Sequence, residues 1–295
     1  MFTKILCPTD FSDGAKHAVE VAARLATASN AELVLLHAWY IPPILYASEQ
    51  PIPAAALETM MSDDEGILAD AARELEKLGV RRVSTRFVTG QPWDQIVKVL
   101  QDDPAYDLVV MGTTGRAGLS RILLGSVTEK VVRSAPCSVL AVRGTEVDRP
   151  FARVLCPVDF AEHSKVALRL AGELASRERD PEVALLHVVD VPSHYATEPF
   201  LSDYMRSIDK LATQLLADCT KQLREKQHVA TTTALMVGSP IPNILAALET
   251  KPGYDLVVVG SHGRHGLSRM FLGSVAEKIV RHANTPVLVA RPART

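Results

Sequence analysis

Apolar positions along this chain keep two rhythms that alternate, and the whole alternation occurs twice. Short continuous apolar runs predict buried strands, and runs spaced at three and four residues predict helices. In the first half, Lys4 to Cys7 predicts a strand. Asp13 to Ala28 predicts a helix with Ala15, Ala18, Val19, Ala22, Leu25 and Ala26 inward, and Ser12 or Asp13 as its N-cap. Glu32 to Ala38 is a second strand, and Pro42-Pro43 to Pro53 is a proline-marked loop. A helix over Leu57 to Leu78, a strand over Arg82 to Val88 and a short helix over Pro92 to Leu100 follow. Leu108 to Met111 is a strand, Val127 to Ser134 a helix, and Ser138 to Arg143 the last strand. The second half repeats this, with a long helix over Ser202 to Lys226 and a last strand over Val287 to Arg291.

The residues repeat along with the rhythm. Leu6-Cys7-Pro8-Thr9-Asp10-Phe11 recurs as Leu155-Cys156-Pro157-Val158-Asp159-Phe160, and Tyr106-Asp107-Leu108 as Tyr254-Asp255-Leu256. Thr89-Gly90-Gln91-Pro92 recurs as Val237-Gly238-Ser239-Pro240, and Glu129-Lys130-Val131-Val132-Arg133 as Glu277-Lys278-Ile279-Val280-Arg281. The offset stays close to 148–150 residues, which is one domain duplicated. The expected domains are 1–144 and 153–295, with a polar linker over 145–152. Apolar strands alternating with helices mean an α/β fold: two tandem open parallel sheets, each an α/β/α sandwich of Rossmann-like kind. Right-handed crossovers bring the strand carboxyl ends to one edge, where ligands bind as the strand order reverses.

Composition narrows the function classes. A net charge of −2 over 295 residues argues against bulk electrostatic binding of nucleic acid or acidic membranes. No apolar run is long enough to cross a bilayer, and the start of the chain runs straight into a strand. A cytoplasmic protein is expected. Cys7, Cys137, Cys156 and Cys219 form no C-x-x-C pair, so buried thiols are expected rather than a metal site.

The chemistry concentrates in one spacing. Gly112-Thr113-Thr114-Gly115, nine residues, then Gly125-Ser126-Val127 recurs as Gly260-Ser261-His262-Gly263, nine residues, then Gly273-Ser274-Val275. Each copy follows an apolar strand and precedes a helix start. Glycines permit positive φ and close approach of backbone to a ligand. The free N–H groups of a helix start favour phosphate. Ser126 and Ser274 can cap those helices or donate to a phosphate oxygen. The alternative is an ordinary strand-to-helix turn. Neither a Walker loop nor a G-x-G-x-x-G after a first strand is present.

With these residues, both halves resemble the universal stress protein family in its tandem form, over nearly the whole chain. Both copies carry the G-x2-G-x9-G-[ST] spacing of that family's ATP-binding subgroup. The resemblance implies five parallel strands in the order 3-2-1-4-5, a fold of the adenine nucleotide alpha hydrolase kind. It implies ATP in each carboxyl-end crevice, and a stress-tolerance or regulatory role with little or no turnover. Carried over, Asp10 and Asp159 meet ribose hydroxyls or a phosphate-bound Mg2+, beside Pro8, Thr9, Pro157 and Val158. Ala38 and Val188 offer backbone groups to adenine, and Met111 and Val259 pack near adenine or ribose. Gly112, Thr114, Gly115, Gly125, Ser126 and Val127 hold ribose and phosphates, as do Gly260, His262, Gly263, Gly273, Ser274 and Val275. The second copy departs in carrying Ala161 for Ser12 and His262 for Thr114.

Other readings stay open beside these. Asp10 and Asp159 could cap the following helices. His37 and His187 read as buried, hydrogen-bonded strand residues, since no metal-spaced partner accompanies them. Arg116, Arg121, Arg264 and Arg269 are either solvated loop residues or phosphate clamps, and His265 reads as surface. Tyr40, Pro42, Pro43 and Tyr46 are a lid or an interface. A slow ATP hydrolase or phosphotransferase is the first alternative function, although no residue stands out to place a nucleophile. A nucleotide-free interaction module is the second.

The final strands, Ser138 to Val142 and Val287 to Ala290, would each be an apolar sheet edge, and such edges are normally covered. In single-domain relatives of the family, two chains often meet by antiparallel pairing of this strand. The expectation is an intramolecular pseudo-dimer, with a homodimer of whole chains as a further association. Isolated residues 1–144 should then self-associate in analytical ultracentrifugation; a monomer at high concentration refutes the pairing.

Overall fold

The structure is a computed structural model that describes residues 2–42, 52–113, 124–143, 151–190, 201–262 and 272–292, without the side chains of 201–205. The chain divides into two compact units, with the change from the first to the second between Val147 and Asp148.

In the first unit the strands are β1 (Lys4–Pro8), β2 (Glu32–Trp39), β3 (Val83–Thr89), β4 (Leu108–Gly112) and β5 (Ser138–Val142). The helices are α1 (Asp13–Ser29), α2 (Ala54–Lys77), α3 (Pro92–Asp102) and α4 (Ser126–Ser134). Neighbouring strands run parallel in the order β3-β2-β1-β4-β5. The second unit has β6 (Arg153–Pro157), β7 (Glu182–Val189), β8 (Ala230–Val237), β9 (Leu256–Gly260) and β10 (Val287–Ala290). Its helices are α5 (Glu162–Ala175), α6 (Leu201–Gln227), α7 (Pro240–Leu248) and α8 (Ser274–His282). Its order is β10-β9-β6-β7-β8, again parallel, which is the same topology read from the other edge.

The central strands are buried because both faces of the sheet carry helices: Ile5, Leu6, Leu108, Val109 and Val154 are fully inaccessible. β3 and β8 are mostly exposed edge strands. Leu140 and Leu288 are each only 1% exposed, so a lysine at either would unfold its own unit before reporting on any pairing of the last strands. The α1 stripe is Ala15, Ala18, Val21, Ala22, Leu25 and Ala26, so Val21 takes the inward place expected of Val19. α2 starts three residues earlier than expected, because Pro53 occupies the N-cap, where a missing N–H is harmless.

The repeated Tyr-Asp before β4 and β9 is a clamp at the amino-terminal edge. Asp107 Oδ2 accepts from Thr3 N–H (2.7 Å), and Asp255 Oδ2 accepts from Arg153 N–H (2.8 Å), tying β4 to β1 and β9 to β6. Lys4 lies 4.8 Å over the Tyr106 ring and Arg153 5.5 Å over that of Tyr254.

Cys7, Cys137 and Cys156 are buried and Cys219 is half-buried. Burial pushes the Cys7 and Cys156 thiols far above the ordinary range, so the reactive thiolate is scarcely formed. Ellman's reagent should therefore leave at least these two thiols unmodified in the native chain and titrate all four in denaturant. Fast reaction of four in buffer would contradict the burial.

Candidate functional site

Each unit gathers its chemistry where the strand order reverses, at the carboxyl ends of the two central strands. In the first unit β1 ends at Pro8, and the chain turns through Thr9, Asp10 and Phe11 into α1. Asp10 Oδ1 accepts from the Ser12 N–H (3.1 Å) and the Ser12 hydroxyl (2.5 Å), and Ser12 Oγ accepts from the Ala15 N–H (3.3 Å). Ser12, not Asp10 or Asp13, is therefore the N-cap, and Asp10 orients it. Phe11 sits at φ 63° and Phe160 at φ 64°, a left-handed conformation unusual for a bulky residue. Each Phe ring packs on a histidine near the end of the neighbouring strand: Phe11 stacks on His37 at 4.6 Å, and Phe160 lies tilted against His187 at 4.5 Å. The His37 Nδ1–H donates to the Thr9 carbonyl (2.8 Å) and His187 does the same to Val158 (2.6 Å). Both histidines are buried, and they hold the first turn against the second strand. His37 Nε2 also lies 3.4 Å from Asp64 Oδ2 of α2.

In the second unit Asp159 has no serine two residues on. Its Oδ1 accepts from the Ala161 N–H (3.0 Å) and from the Ser164 hydroxyl, while the Asp159 N–H donates to Ser164 Oγ (3.1 Å). The hydroxyl absent at position 161 is thus supplied three residues later, from the first turn of α5. Asp159 is likewise not the cap residue, which is Ala161.

The glycine segments have the same frame in both units. Gly125 N–H donates to the Thr113 carbonyl and Gly273 N–H to the Ser261 carbonyl, both at 2.7 Å. Each bond ties the end of the loop to its beginning. Gly125 (φ −59°) and Gly273 (φ −64°) are the N-caps, so Ser126 and Ser274 are the first helical residues, exposed, and do not cap. Neither of these two glycines takes positive φ. Positive φ is found instead at Gly90 (131°) and Gly238 (127°), in the other repeated glycine turn. Gly112 and Gly260 are required by packing: a Cβ on Gly112 would lie 2.4 Å from the Gly14 carbonyl oxygen, and one on Gly260 2.9 Å from the His163 carbonyl carbon. Thr128, unremarked in the sequence, donates its hydroxyl to the Gly112 carbonyl (2.7 Å).

A cavity of about 790 Å3 opens in the second unit. Of the residues expected there, Pro157, Val158, Asp159, Val188, Val259, Gly260, His262, Gly273, Ser274 and Val275 all line it. Its apolar wall, Ile208, Leu211, Ala212 and Leu215 of α6 with Ile244 of α7, was not foreseen. The only signal in the sequence was the helical spacing of those four α6 positions. In the first unit Pro8, Thr9, Asp10, Ala38, Met111, Gly112, Gly125, Ser126 and Val127 stand at the matching strand and helix ends. Thr114, Gly115, Gly263, Arg116, Arg121, Arg264, Arg269, His265, Pro43 and Tyr46 lie outside the described residues, as do linker positions 145–150.

Beside the cavity is a polar cluster whose two histidines have no counterpart in the sequence of the first half. Ser261 Oγ lies 3.0 Å from His163 Nδ1 and 3.1 Å from His262 Nδ1, and the two rings are 4.9 Å apart. Burial lowers the basicity of both imidazoles; the neighbouring His163 then opposes protonation of His262, and the Arg291 charge lowers both further. Asp159 and Glu162 act the other way on His163. Among the described residues no group of three or more metal-ligating side chains is present.

Fold and site together define a tandem α/β protein whose two units share one topology and one switch point each. The profile of the universal stress protein family matches residues 1–143 and again 150–291, and the chain belongs to that family. A universal stress protein of Mycobacterium tuberculosis is 30% identical over 302 residues, taking in 99% of this chain and 97% of the relative. One from Methanocaldococcus jannaschii is 34% identical over 143 residues, 48% of this chain and 83% of its own length. The crystal structure of a universal stress protein from Archaeoglobus fulgidus has the same fold, with a TM-score of 0.68, 22% identity and 98% of each chain covered. Among the described residues no helix is long and apolar enough to cross a membrane.

Proposed function

We propose that each unit binds an adenine nucleotide, ATP, in its carboxyl-end crevice, and that the protein works as a nucleotide-responsive regulatory protein with little or no turnover. The observation that carries this reading is the cavity of the second unit, which collects residues from three separate segments chosen for nucleotide contact. Its volume suits a small organic ligand, for which sites of ~300–1,000 Å3 are usual. The apolar wall of α6 offers a surface for a base. The start of α8, with the N–H groups of its first turn, lies on the phosphate side. Asp159 lines the same cavity and would hold a ribose hydroxyl or the Mg2+ that accompanies ATP, which would screen phosphate charge there. The first unit carries the same glycine spacing, so two sites per chain follow.

Calorimetric titration of the whole chain with MgATP should saturate near two equivalents, and native mass spectrometry should show nucleotide retained. One equivalent would leave one crevice structural only, and none would sink the reading. Hydrolysis measured alongside should stay close to the background of the Asp10→Ala, Asp159→Ala double variant.

A further inference from the structure

We propose that the second crevice takes up a proton when it binds a phosphate-bearing ligand, through the His163–Ser261–His262 cluster, and that the first crevice does not. The inference rests on the nucleotide reading above and adds a chemical difference between the two sites.

The geometry is specific to the second unit. His262 lines the cavity and is only 9% exposed, yet its Nε2 is buried with no hydrogen-bond partner. A buried polar nitrogen in that condition is expensive unless something fills its need. Its other nitrogen, Nδ1, shares the Ser261 hydroxyl with His163 Nδ1. One hydroxyl proton cannot serve both nitrogens, so at least one of the two rings carries its proton on Nδ1. Protonated His262 suits this chain of bonds. Its Nδ1–H donates to Ser261, the Ser261 hydroxyl donates to His163, and Nε2–H becomes a charged donor. A phosphate oxygen is the partner such a donor lacks.

Without the ligand the proton is disfavoured. Desolvation opposes charge on His262, and the neighbouring His163 and Arg291 oppose it further. On the faces packed against His163, Arg291 opposes charge while Asp159 and Glu162 favour it. An incoming phosphate reverses this balance by adding negative charge beside His262. Burial and its cationic neighbours hold His262 below the ordinary histidine value in the free state, and the ligand raises it from there. Affinity should therefore rise as pH falls through the interval between the free and bound values, by at most tenfold per pH unit for one proton. The first half carries Thr114 and Gly14 in place of His262 and His163. The packing of Gly112 on Gly14 and of Gly260 on His163 establishes the second correspondence.

The test is calorimetric titration of the whole chain with MgATP between pH 8 and pH 6, in two buffers of different ionisation enthalpy. The variant is His262→Thr, which takes the residue of the first half and so suits the fold. Protonation of the nucleotide itself is common to both proteins and cancels between them. Wild-type chain should take up more protons per chain than the variant, and one of its two sites should tighten roughly fivefold to tenfold more over this range. His163→Gln should reduce the slope without abolishing it. Equal proton uptake in wild type and His262→Thr, with two sites still filled, overturns the proposal and leaves the nucleotide reading standing. Absence of MgATP binding at every pH overturns both.

Discussion

Gly112→Ala should lower the stability of the first unit by about 3 kcal/mol, near the upper end of the usual range for overpacking a core. The new methyl would lie 2.4 Å from the Gly14 carbonyl oxygen, 2.7 Å from its carbonyl carbon and 3.2 Å from the Ala15 nitrogen. These are backbone atoms of the first turn of α1 and cannot swing aside as a side-chain tip can. The helix is seated close because Ala15 and Ala18 present only methyl groups to the sheet. β4 cannot retreat either, since it is hydrogen-bonded between β1 and β5. Roughly 10 °C should be lost from the melting of that unit. Hydrogen exchange read by mass spectrometry should place the loosening in α1 and β4 and leave residues 153–190 unchanged. Gly260→Ala should act in the same direction on the second unit but less, because its nearest contacts are 2.9 Å and 3.0 Å. Gly66→Ala is the control of opposite sign: it is an exposed α2 residue whose Cβ meets nothing within 4 Å, so it should gain up to ~1 kcal/mol. Wild-type stability in Gly112→Ala, with nucleotide lost, would mean that this glycine serves the ligand rather than the packing.

Asp159→Ala should cost the second unit about 2 kcal/mol and weaken nucleotide at that site at least tenfold, whereas Asp159→Asn should separate the two effects. The Asp159 carboxylate accepts from the Ala161 N–H and the Ser164 hydroxyl, and with Ala161 as N-cap α5 has no capping side chain. Hydrogen bonds to a charged group contribute about 1.5–3 kcal/mol, and partial exposure of this carboxylate places the loss toward the lower end. Asparagine keeps the Oδ1 acceptor that orders the turn and gives up the charge that a ribose or Mg2+ contact uses. Asp159→Asn should therefore melt close to wild type yet bind MgATP poorly at one of two sites. In the first unit Ser12 caps α1 directly, so Asp10→Ala should be the milder of the two alanine variants in urea unfolding. If Asp159→Asn binds two equivalents as tightly as wild type, the carboxylate belongs to the turn alone.

Much of the crevice was legible because it is assembled from chain ends of regular elements. The apolar runs place the carboxyl ends of β1, β2 and β4, and a parallel sheet brings those ends together whatever the side chains do. Pro157, Val158, Asp159, Val188, Val259, Gly260, Gly273 and Val275 could thus be named from spacing and resemblance, and the cavity contains them all. The α6 wall was less legible. An amphipathic helix shows that it buries a face, but not which part of that face stays open over a crevice. Leu211 is 58% exposed beside a cavity, which periodicity alone does not distinguish from an ordinary surface leucine.

By itself the sequence determined the duplication, the alternation of strand and helix, the edge where each crevice forms and the family. The first three follow from local periodicity and repeated spacing, and the family from the resemblance of the repeated motifs. Tertiary structure decided what individual residues are for, because those roles depend on distances between segments far apart in the chain. Gly90 and Gly238 take the positive φ that the motif glycines Gly125 and Gly273 do not need, and Gly112 is a packing contact with a helix about a hundred residues earlier. Ser164 stands in for the hydroxyl missing at position 161 only because a helical turn returns it to Asp159. His163 meets Ser261 across 98 positions, a contact that α5 and β9 create by packing and that no spacing along the chain records.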